Sequence, residues 1–195
     1  HALTDIVDTH TAHPRLDAYI RQNFLDNVLR GGWPIQLGPQ ERPFTVHIYS
    51  RKHGDLERDY NAFALADEPY SQGNGNYRDV NQNRRSDVLL NPAVKAFNLI
   101  SFLGLIQADG YNPLVVLGSR FTLEPARRAK LQRRLGLSDG VMALLAGTFT
   151  PGSVLRAIQD QALALPLSWD DLLVEILSQA QQHFEADFGE GFWAD

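Results

Sequence analysis

The sequence predicts a mainly helical protein with one small β-hairpin element. Apolar residues recur at spacings of three and four over several stretches, whereas the period-two alternation of a strand is clearest between residues 43 and 52. Hydrophobic residues make up 44% of the 195 residues, which provides enough apolar mass for a substantial core. We therefore expect a globular chain whose core is built mostly from helices.

The N-terminal part is predicted to contain a helix followed by the hairpin. Apolar side chains share one face over residues 15–29, and a Gly-Gly pair ends this helix. Residues 43–52 alternate between apolar and polar side chains and form the first predicted strand. Residues 61–65 are its predicted partner, so the hairpin is expected within residues 43–66.

A polar loop and an apolar helix follow. Residues 70–87 are rich in glycine and asparagine and nearly free of apolar side chains, which predicts a loop or a set of turns. The next helix is predicted over residues 93–108, with Asn91 as its cap and Pro92 in its first turn. Because this helix is apolar on most sides, we expect it in the interior. Loop and helix together form the segment 69–112.

The C-terminal half is predicted to be helical. The apolar run at residues 114–117 is too short to assign to a helix or a strand. Residues 124–135 form a basic helix, whose arginines are explained more readily by a solvated face than by an anion site. Two further helices are expected, over residues 151–163 and 168–184. The segment 120–165 is a possible helical insertion.

Composition and charge exclude several classes of function. The 18 Lys and Arg residues against 23 Asp and Glu residues give a net charge of −5, which argues against a nucleic-acid or membrane-surface binder. The chain has no cysteine, so thiol catalysis and cysteine-ligated metals are excluded, and we expect a cytoplasmic location. No apolar run is long enough for a membrane span. His10 and His13 lack a convincing acidic partner, so no metal site is expected.

Both ends of the chain are unusual for a complete domain. The chain begins with His1 and Ala2, its single methionine is Met142, and it ends on aromatic and acidic residues. We therefore expect residues 1–195 to be a single segment, internal to a larger catalytic domain. The rest of the parent chain, or a homo-oligomer, is expected to cover the apolar faces that such a segment exposes.

The predicted loop carries the residues that suggest chemistry. Aromatic rings suit the flat faces of sugars, and side-chain amides offer the donors and acceptors that a polyhydroxylated ligand requires. An adjacent arginine and aspartate can form a charge-assisted network. A solvated linker explains the composition equally well, so a carbohydrate site is a hypothesis at this stage. The residues concerned are Tyr70, Tyr77, Arg78, Asp79, Asn81 and Gln82.

The order of these residues resembles a known motif. Residues 77–82, Tyr-Arg-Asp-Val-Asn-Gln, are similar to the aromatic-Arg-Asp-x-Asn-Gln motif of inverting sugar phosphorylases of the cellobiose phosphorylase type. The wider loop, with residues 51–55 and 59–61 before it and 107–113 after it, is similar to very long bacterial relatives of those enzymes, some of which act on β-1,3-linked oligoglucans. The resemblance implies an (α/α)6 barrel, of which this chain would supply part.

The resemblance also implies roles for individual residues. The aspartate of the family motif is the general acid, and the aromatic residue two positions before it lines the sugar subsite at the scissile bond. The implied reaction is inverting phosphorolysis of β-linked gluco-oligosaccharides to α-glucose 1-phosphate, with inorganic phosphate as co-substrate and no cofactor. The implied acid is Asp79, and the implied substrate-binding residues are Tyr77, Arg78, Asn81, Gln82, Tyr70, Arg51 and Asp55.

The chain also departs from the family pattern. Asn83 stands where the cellobiose phosphorylases have an aspartate, so acceptor binding is expected to differ. Their phosphate-binding residues have no counterpart here, so we expect the isolated chain to be inactive and to self-associate.

Two alternatives to a phosphorylase stay open. A phosphorylase needs one carboxylic acid because phosphate is already a nucleophile, whereas an inverting hydrolase needs an acid and a base. The first alternative is therefore a hydrolase that uses Glu68 or Asp87 as the base. The second is a non-catalytic carbohydrate-binding segment, in which Tyr70 and Tyr77 stack on sugar and Asp79 only forms hydrogen bonds.

Overall fold

The computed structural model describes residues 7–49, 65–161 and 167–189, in which helices pack against two antiparallel sheets. The prediction of a mainly helical chain that forms part of an (α/α)6 barrel is wrong. A barrel of that type is built from rings of paired helices, whereas here the strand Val115–Thr122 contributes to both hydrophobic cores and its partner strand Gln181–Asp187 contributes to the smaller one. The described part of the chain is therefore a mixed α/β fold.

Two of the predicted helices are confirmed: the helix expected over residues 15–29 is α1, and the basic helix expected over residues 124–135 is α5. In chain order, the described elements are α1 (Pro14–Leu29), β1 (Trp33–Leu37), β2 (Phe44–Ile48), β3 (Gly75–Asn76), α2 (Tyr77–Arg84), α3 (Asp87–Leu90), a 3-10 turn (Pro92–Val94), α4 (Phe97–Gly104), β4 (Val115–Thr122), α5 (Pro125–Leu135), α6 (Asp139–Ala146), α7 (Pro151–Asp160), α8 (Trp169–Leu177) and β5 (Gln181–Asp187).

The hairpin is present but uses a different partner strand. The predicted strand is β2, and it pairs antiparallel with β1, so that Leu37 lies opposite Phe44 and Trp33 lies opposite Ile48. Proline at position 34 weakens the strand pattern of β1, although proline is tolerated on an edge strand. Of the predicted partner, residues 61–64 lie outside the described residues, and Leu65 is not part of a strand.

The second sheet of the described residues contains three strands, none of which was predicted from the sequence. Its order is β3-β4-β5, and β4 pairs antiparallel with both neighbours. The untyped run at residues 114–117 is the beginning of β4. The helix predicted over residues 168–184 is wrong in its second half, because α8 ends at Leu177 and β5 follows.

The larger hydrophobic core joins the C-terminal helices to both sheets. Side chains from α5 to α8 pack against β2 and β4, and the Phe44 ring meets the edge of the Phe121 ring at a centroid distance of 5.4 Å. The possible insertion at residues 120–165 therefore contributes much of this core. Fully buried members include Val46, Phe121, Leu131, Leu145, Phe149, Ile158, Leu172 and Ile176.

A smaller core supports α2. It consists of four buried side chains, with the partly buried Leu105 and Phe184 packed against them. These side chains come from α2, α4 and β4, and Phe184 comes from β5. The smaller core therefore connects the predicted catalytic segment to the three-stranded sheet. Its buried members are Tyr77, Val80, Phe102 and Val116.

The helix predicted over residues 93–108 is shorter than expected and lies at the surface. Lys95 has a φ of 49° and a ψ of −127°, which interrupts any helix that starts at residue 93. On α4 itself only Phe102 is buried. We call the exposed residues Leu99, Ile100, Leu103 and Ile106 the apolar α4 face. Among the described residues, no helix has both the length and the apolarity that a membrane span requires.

Candidate functional site

The phosphorylase-like motif forms the helix α2 rather than the predicted loop. The side-chain oxygen of Asn76 caps the helix by accepting hydrogen bonds from the backbone N–H groups of Arg78, at 3.0 Å, and Asp79, at 3.3 Å. The Tyr77 N–H donates to the Leu114 carbonyl at 3.0 Å and so ties the helix start to the residue before β4. The motif is thus held in one backbone conformation.

Three side chains of α2 point into the protein. Tyr77, Val80 and Arg84 are the buried residues of the helix, and their spacing of three and four places them on one face. The Tyr77 hydroxyl donates to the Phe102 carbonyl at 2.8 Å, and the two rings meet edge to face at 5.3 Å. Burial raises the pKa of the Tyr77 phenol. The Tyr77 ring is therefore packed in the smaller core, and its predicted contact with sugar stays a prediction.

The remaining motif residues lie on the outer side of α2. Asp79 is 45% exposed, and its Oδ1 accepts from Nε of the exposed Arg78 at 3.0 Å. Asn81 and Gln82 are exposed on the next turn. The Asn83 amide donates to the backbone carbonyl of Asp79 at 2.7 Å. A carboxylate, a guanidinium and two amides therefore share one solvent-accessible surface, which we call the α2 polar face (Arg78, Asp79, Asn81, Gln82).

The other predicted site residues lie elsewhere or are not described. Tyr70 is partly buried, has a φ of 54° and packs against the larger core. Burial, and secondarily Asp170, raise the pKa of the Tyr70 phenol. Arg51 and Asp55 lie outside the described residues. Tyr70 packs against the larger core and not against the smaller core that supports α2, so its predicted role in substrate binding stays a prediction.

Glu68 and Asp87, the candidate bases of a hydrolase, both accept hydrogen bonds from other side chains. The Thr150 hydroxyl donates to Glu68 Oε1 at 2.6 Å, at the start of α7. Asp87 is only 3% exposed, and its Oδ2 accepts from His47 Nε2 and from the Asn98 amide, each at 2.7 Å. A buried carboxylate with two donors on one oxygen is poorly placed to take a proton from a water molecule at the α2 polar face.

A buried polar cluster lies behind α2, and the sequence analysis did not identify it. We define the buried polar cluster as His47, Arg84, Asp87 and Asn98. His47 comes from β2, and it bonds Asp87 across 40 positions of the chain. The only hint in the sequence is the pair of arginines, Arg84 and Arg85, near the end of the polar stretch 70–87. A strand histidine gives no such hint.

The charges of the buried polar cluster balance. Burial, and secondarily the charge of Arg84, lower the pKa of His47 to about 4, although the hydrogen bond and the charge of Asp87 act in the opposite direction. His47 is therefore neutral near pH 7, and its Nε2–H donates to the Asp87 carboxylate, which can only accept. One cation, Arg84, and one anion, Asp87, remain.

Within the described ranges, no group of three or more His, Asp and Glu side chains could hold a metal ion. No protein-family model, curated protein or solved structure matches this chain. The chemistry of the site is therefore argued from its own residues, and the α2 polar face is the candidate functional site.

Proposed function

We propose that the protein containing this chain is an inverting phosphorylase of β-linked gluco-oligosaccharides, with Asp79 as its general acid. The observation that carries the proposal is that some residues of the motif lie on the buried side of α2 and others on its exposed side. Tyr77, Val80 and Arg84 anchor the helix, while Asp79 stays accessible beside Arg78. An acid catalyst needs this combination, because it must meet the substrate in a fixed orientation.

The proposed reaction uses one carboxylic acid. The Asp79 O–H gives its proton to the glycosidic oxygen while the bond between that oxygen and the anomeric carbon breaks. A phosphate oxygen attacks the anomeric carbon from the opposite face, so the product is α-glucose 1-phosphate. For Asp79 to carry the proton, its ion pair with Arg78 has to open. We propose that Arg78 turns to the bound sugar or phosphate at that step.

The arrangement of the other carboxylates favours a phosphorylase over a hydrolase. An inverting hydrolase needs a second carboxylate about 6.5–9.5 Å from the acid, with room for a water molecule between them. Asp87 is buried and bonded to His47, and Glu68 is bonded to Thr150. The packing of the Tyr77 ring on Phe102 does not separate a phosphorylase from a non-catalytic sugar site, since both assign this ring to the sugar.

The proposal also includes ligands, partners and location. Oligosaccharide is the proposed ligand of the α2 polar face, and inorganic phosphate is the proposed co-substrate, without a cofactor. The rest of the protein, or a second copy of it, is proposed to cover the apolar α4 face, which exposes large aliphatic side chains. A cytoplasmic location rests on the absence of cysteine from the chain.

The test is replacement of Asp79 by asparagine in the full-length protein. Loss of the general acid should lower kcat for phosphorolysis by about 10²–10⁴-fold. Asp139→Asn is the matched control, because Asp139 is also exposed in the first turn of a helix, α6, and its replacement should leave kcat within about twofold. The measurement is glucose 1-phosphate formed from β-1,3- and β-1,4-linked gluco-oligosaccharides in the presence of phosphate.

Three results would contradict the proposal. Near-normal turnover by Asp79→Asn would exclude Asp79 as the acid. Release of free glucose at the same rate with and without phosphate would indicate a hydrolase. Oligosaccharide binding without any product from the unmodified protein would indicate a carbohydrate-binding protein.

A further inference from the structure

Arg84 lies on the inner side of the helix whose outer side carries Asp79. Its side chain is only 3% exposed, and its Nε donates to the Gly31 carbonyl at 2.7 Å. The guanidinium carbon lies 5.9 Å from the centroid of the Phe102 ring and 5.7 Å from that of Phe184. Both distances are within the range of a cation–π interaction. Arg84 thus connects α2 to the chain before β1, to α4 and to β5.

A buried arginine is unusual, because removal of its charge from water is unfavourable unless the charge is compensated. Here the buried polar cluster compensates it. Asp87 provides the negative charge without a direct ion pair to Arg84, and Asn98 donates both to Asp87 Oδ2, at 2.7 Å, and to the backbone carbonyl of Arg84, at 3.2 Å. Asn98 therefore links the end of α2 to Asp87. The guanidinium itself is held by the Gly31 carbonyl and the two phenyl rings, and its Nη1 is buried without a hydrogen-bond partner among the described residues.

The space around Arg84 is also fixed. A Cβ added at Gly31 would lie 3.0 Å from Arg84 Cγ and 3.1 Å from the Asn83 Cβ, so the backbone at Gly31 approaches α2 as closely as it can. The Asn83 side chain in turn bonds the backbone carbonyl of Asp79. A shift of Arg84 would therefore move the turn of α2 that carries Asp79.

We infer that Arg84 is a positioning residue, which sets the rotation of α2 and thereby the place of the Asp79 carboxyl against the glycosidic oxygen. The inference rests on the proposed function. A helix with side chains has a radius of roughly 6 Å, so a rotation of about 10° displaces the Asp79 carboxyl by roughly 1 Å. A misplacement of about that size can reduce the rate by about 10²-fold.

Lysine cannot replace arginine in this role. A lysine at position 84 keeps the positive charge near Asp87, but it has no planar guanidinium that can bond Gly31 and face the two phenyl rings at the same time. Arg84→Lys therefore separates the positioning effect from the loss of a buried charge. Arg85→Lys is the matched control, because Arg85 is exposed and its Nε bonds only the Gln82 carbonyl of α2 itself.

The experiment compares Arg84→Lys, Arg85→Lys and the unmodified full-length protein in the phosphorolysis assay. We expect Arg84→Lys to lower kcat by about 10- to 100-fold while KM for oligosaccharide and phosphate changes little, and Arg85→Lys to stay within about twofold. The melting temperature and the circular dichroism spectrum are recorded on the same preparations. If Arg84→Lys lowers the melting temperature but each folded molecule keeps its kcat, Arg84 is only structural and the inference is wrong.

A second variant applies if Arg84→Lys does not fold. The Cβ that Gly31→Ala adds would lie too close to Arg84 Cγ, and the variant changes no charge. We expect it to lower kcat several-fold with unchanged KM. Unchanged kcat in this variant also overturns the inference. If the unmodified protein forms no glucose 1-phosphate, the proposed function fails and the positioning role fails with it. If the unmodified protein is active and both variants keep its kcat, the positioning role alone fails.

Discussion

Replacement of His47 by glutamine should make the stability of the chain less dependent on pH between about pH 4 and 6.5. The His47 side chain is 3% exposed, and its Nε2 lies 2.7 Å from Asp87 Oδ2. Burial, reinforced by the charge of Arg84, lowers the pKa of His47 from 6.5 to about 4. A glutamine amide can also donate to Asp87, but it has no proton to gain in this range.

The sign of the effect follows from proton uptake. Between pH 6.5 and 4, the unfolded chain protonates His47 and the folded chain does not, so the free energy of unfolding falls as the pH falls. The stabilisation is fully present above pH 6.5 and is lost as the pH approaches 4. A depression of the His47 pKa from 6.5 to about 4 corresponds to about 3 kcal/mol over the whole window. About 2 kcal/mol of this should already be lost at about pH 5.

The measurement is equilibrium unfolding by urea at several pH values for the unmodified chain and for His47→Gln. The two chains should converge in stability as the pH approaches 4, whereas the unmodified chain should gain about 3 kcal/mol more on going to pH 7. His183→Gln is the control, because His183 is exposed and bonds only the Thr122 hydroxyl among the contacts described. If the free energy of unfolding changes with pH by the same amount in the unmodified chain and in His47→Gln, the reasoning is refuted.

Two further predictions concern packing and association. Gly32 has a φ of 81°, and an added Cβ would lie 2.5 Å from the Tyr49 ring, so Gly32→Ala should lower the free energy of unfolding by about 2–4 kcal/mol in a urea titration. Gly136 has a φ of 63°, but an added Cβ would meet open space, so Gly136→Ala should lower the free energy of unfolding by only about 1 kcal/mol. Equal decreases for Gly32→Ala and Gly136→Ala would contradict the packing argument. Leu103→Gln on the apolar α4 face should reduce self-association of the isolated chain in light scattering, whereas Val174→Gln on α8 should not. If Leu103→Gln and Val174→Gln change the light scattering equally, the apolar α4 face is not the associating surface.

Helices with local signals were predictable from the sequence. Thr150 and Ser168 each accept a hydrogen bond from a backbone N–H at the start of the following helix, as their positions before apolar periodic segments indicated. Such caps depend on residues three positions apart, so a single sequence contains the necessary information. The predicted helix over residues 151–163 is α7, which begins at Pro151.

The strands depended on partners that are distant in sequence. Phe184 follows Ala180 by four positions, and this spacing extended the helical pattern of α8 into β5. Pairing with β4 overrides the pattern, since Phe184 lies opposite Ser119 in the sheet. The prediction of a mainly helical chain failed for this reason, because without β4 and β5 the remaining pattern is almost wholly helical. The barrel was implied by the resemblance of the motif, which contains no information about these strands.

Helix α2 was missed because its buried face is not apolar. The inward residues Tyr77, Val80 and Arg84 have helical spacing, but an arginine does not count as a core residue in a hydrophobic pattern. The sequence pointed to Asp79 through its neighbours in the motif. It did not reveal that Asp87 would bond His47, since that contact depends on how β2 and α3 meet.

The structure of α2 explains how a strongly polar segment can still hold an accessible carboxylate in place. Isolated helices of eight residues are marginal in water, so the helix must be held by contacts outside itself. Asn76 and Tyr77 fix its beginning, and Arg84 fixes its end through Gly31 and the rings of the smaller core. These contacts leave the outer side free of packing, which allows Asp79 to be both accessible and fixed. A loop of the same composition would have provided access without the fixed orientation that the proposed proton transfer from Asp79 needs.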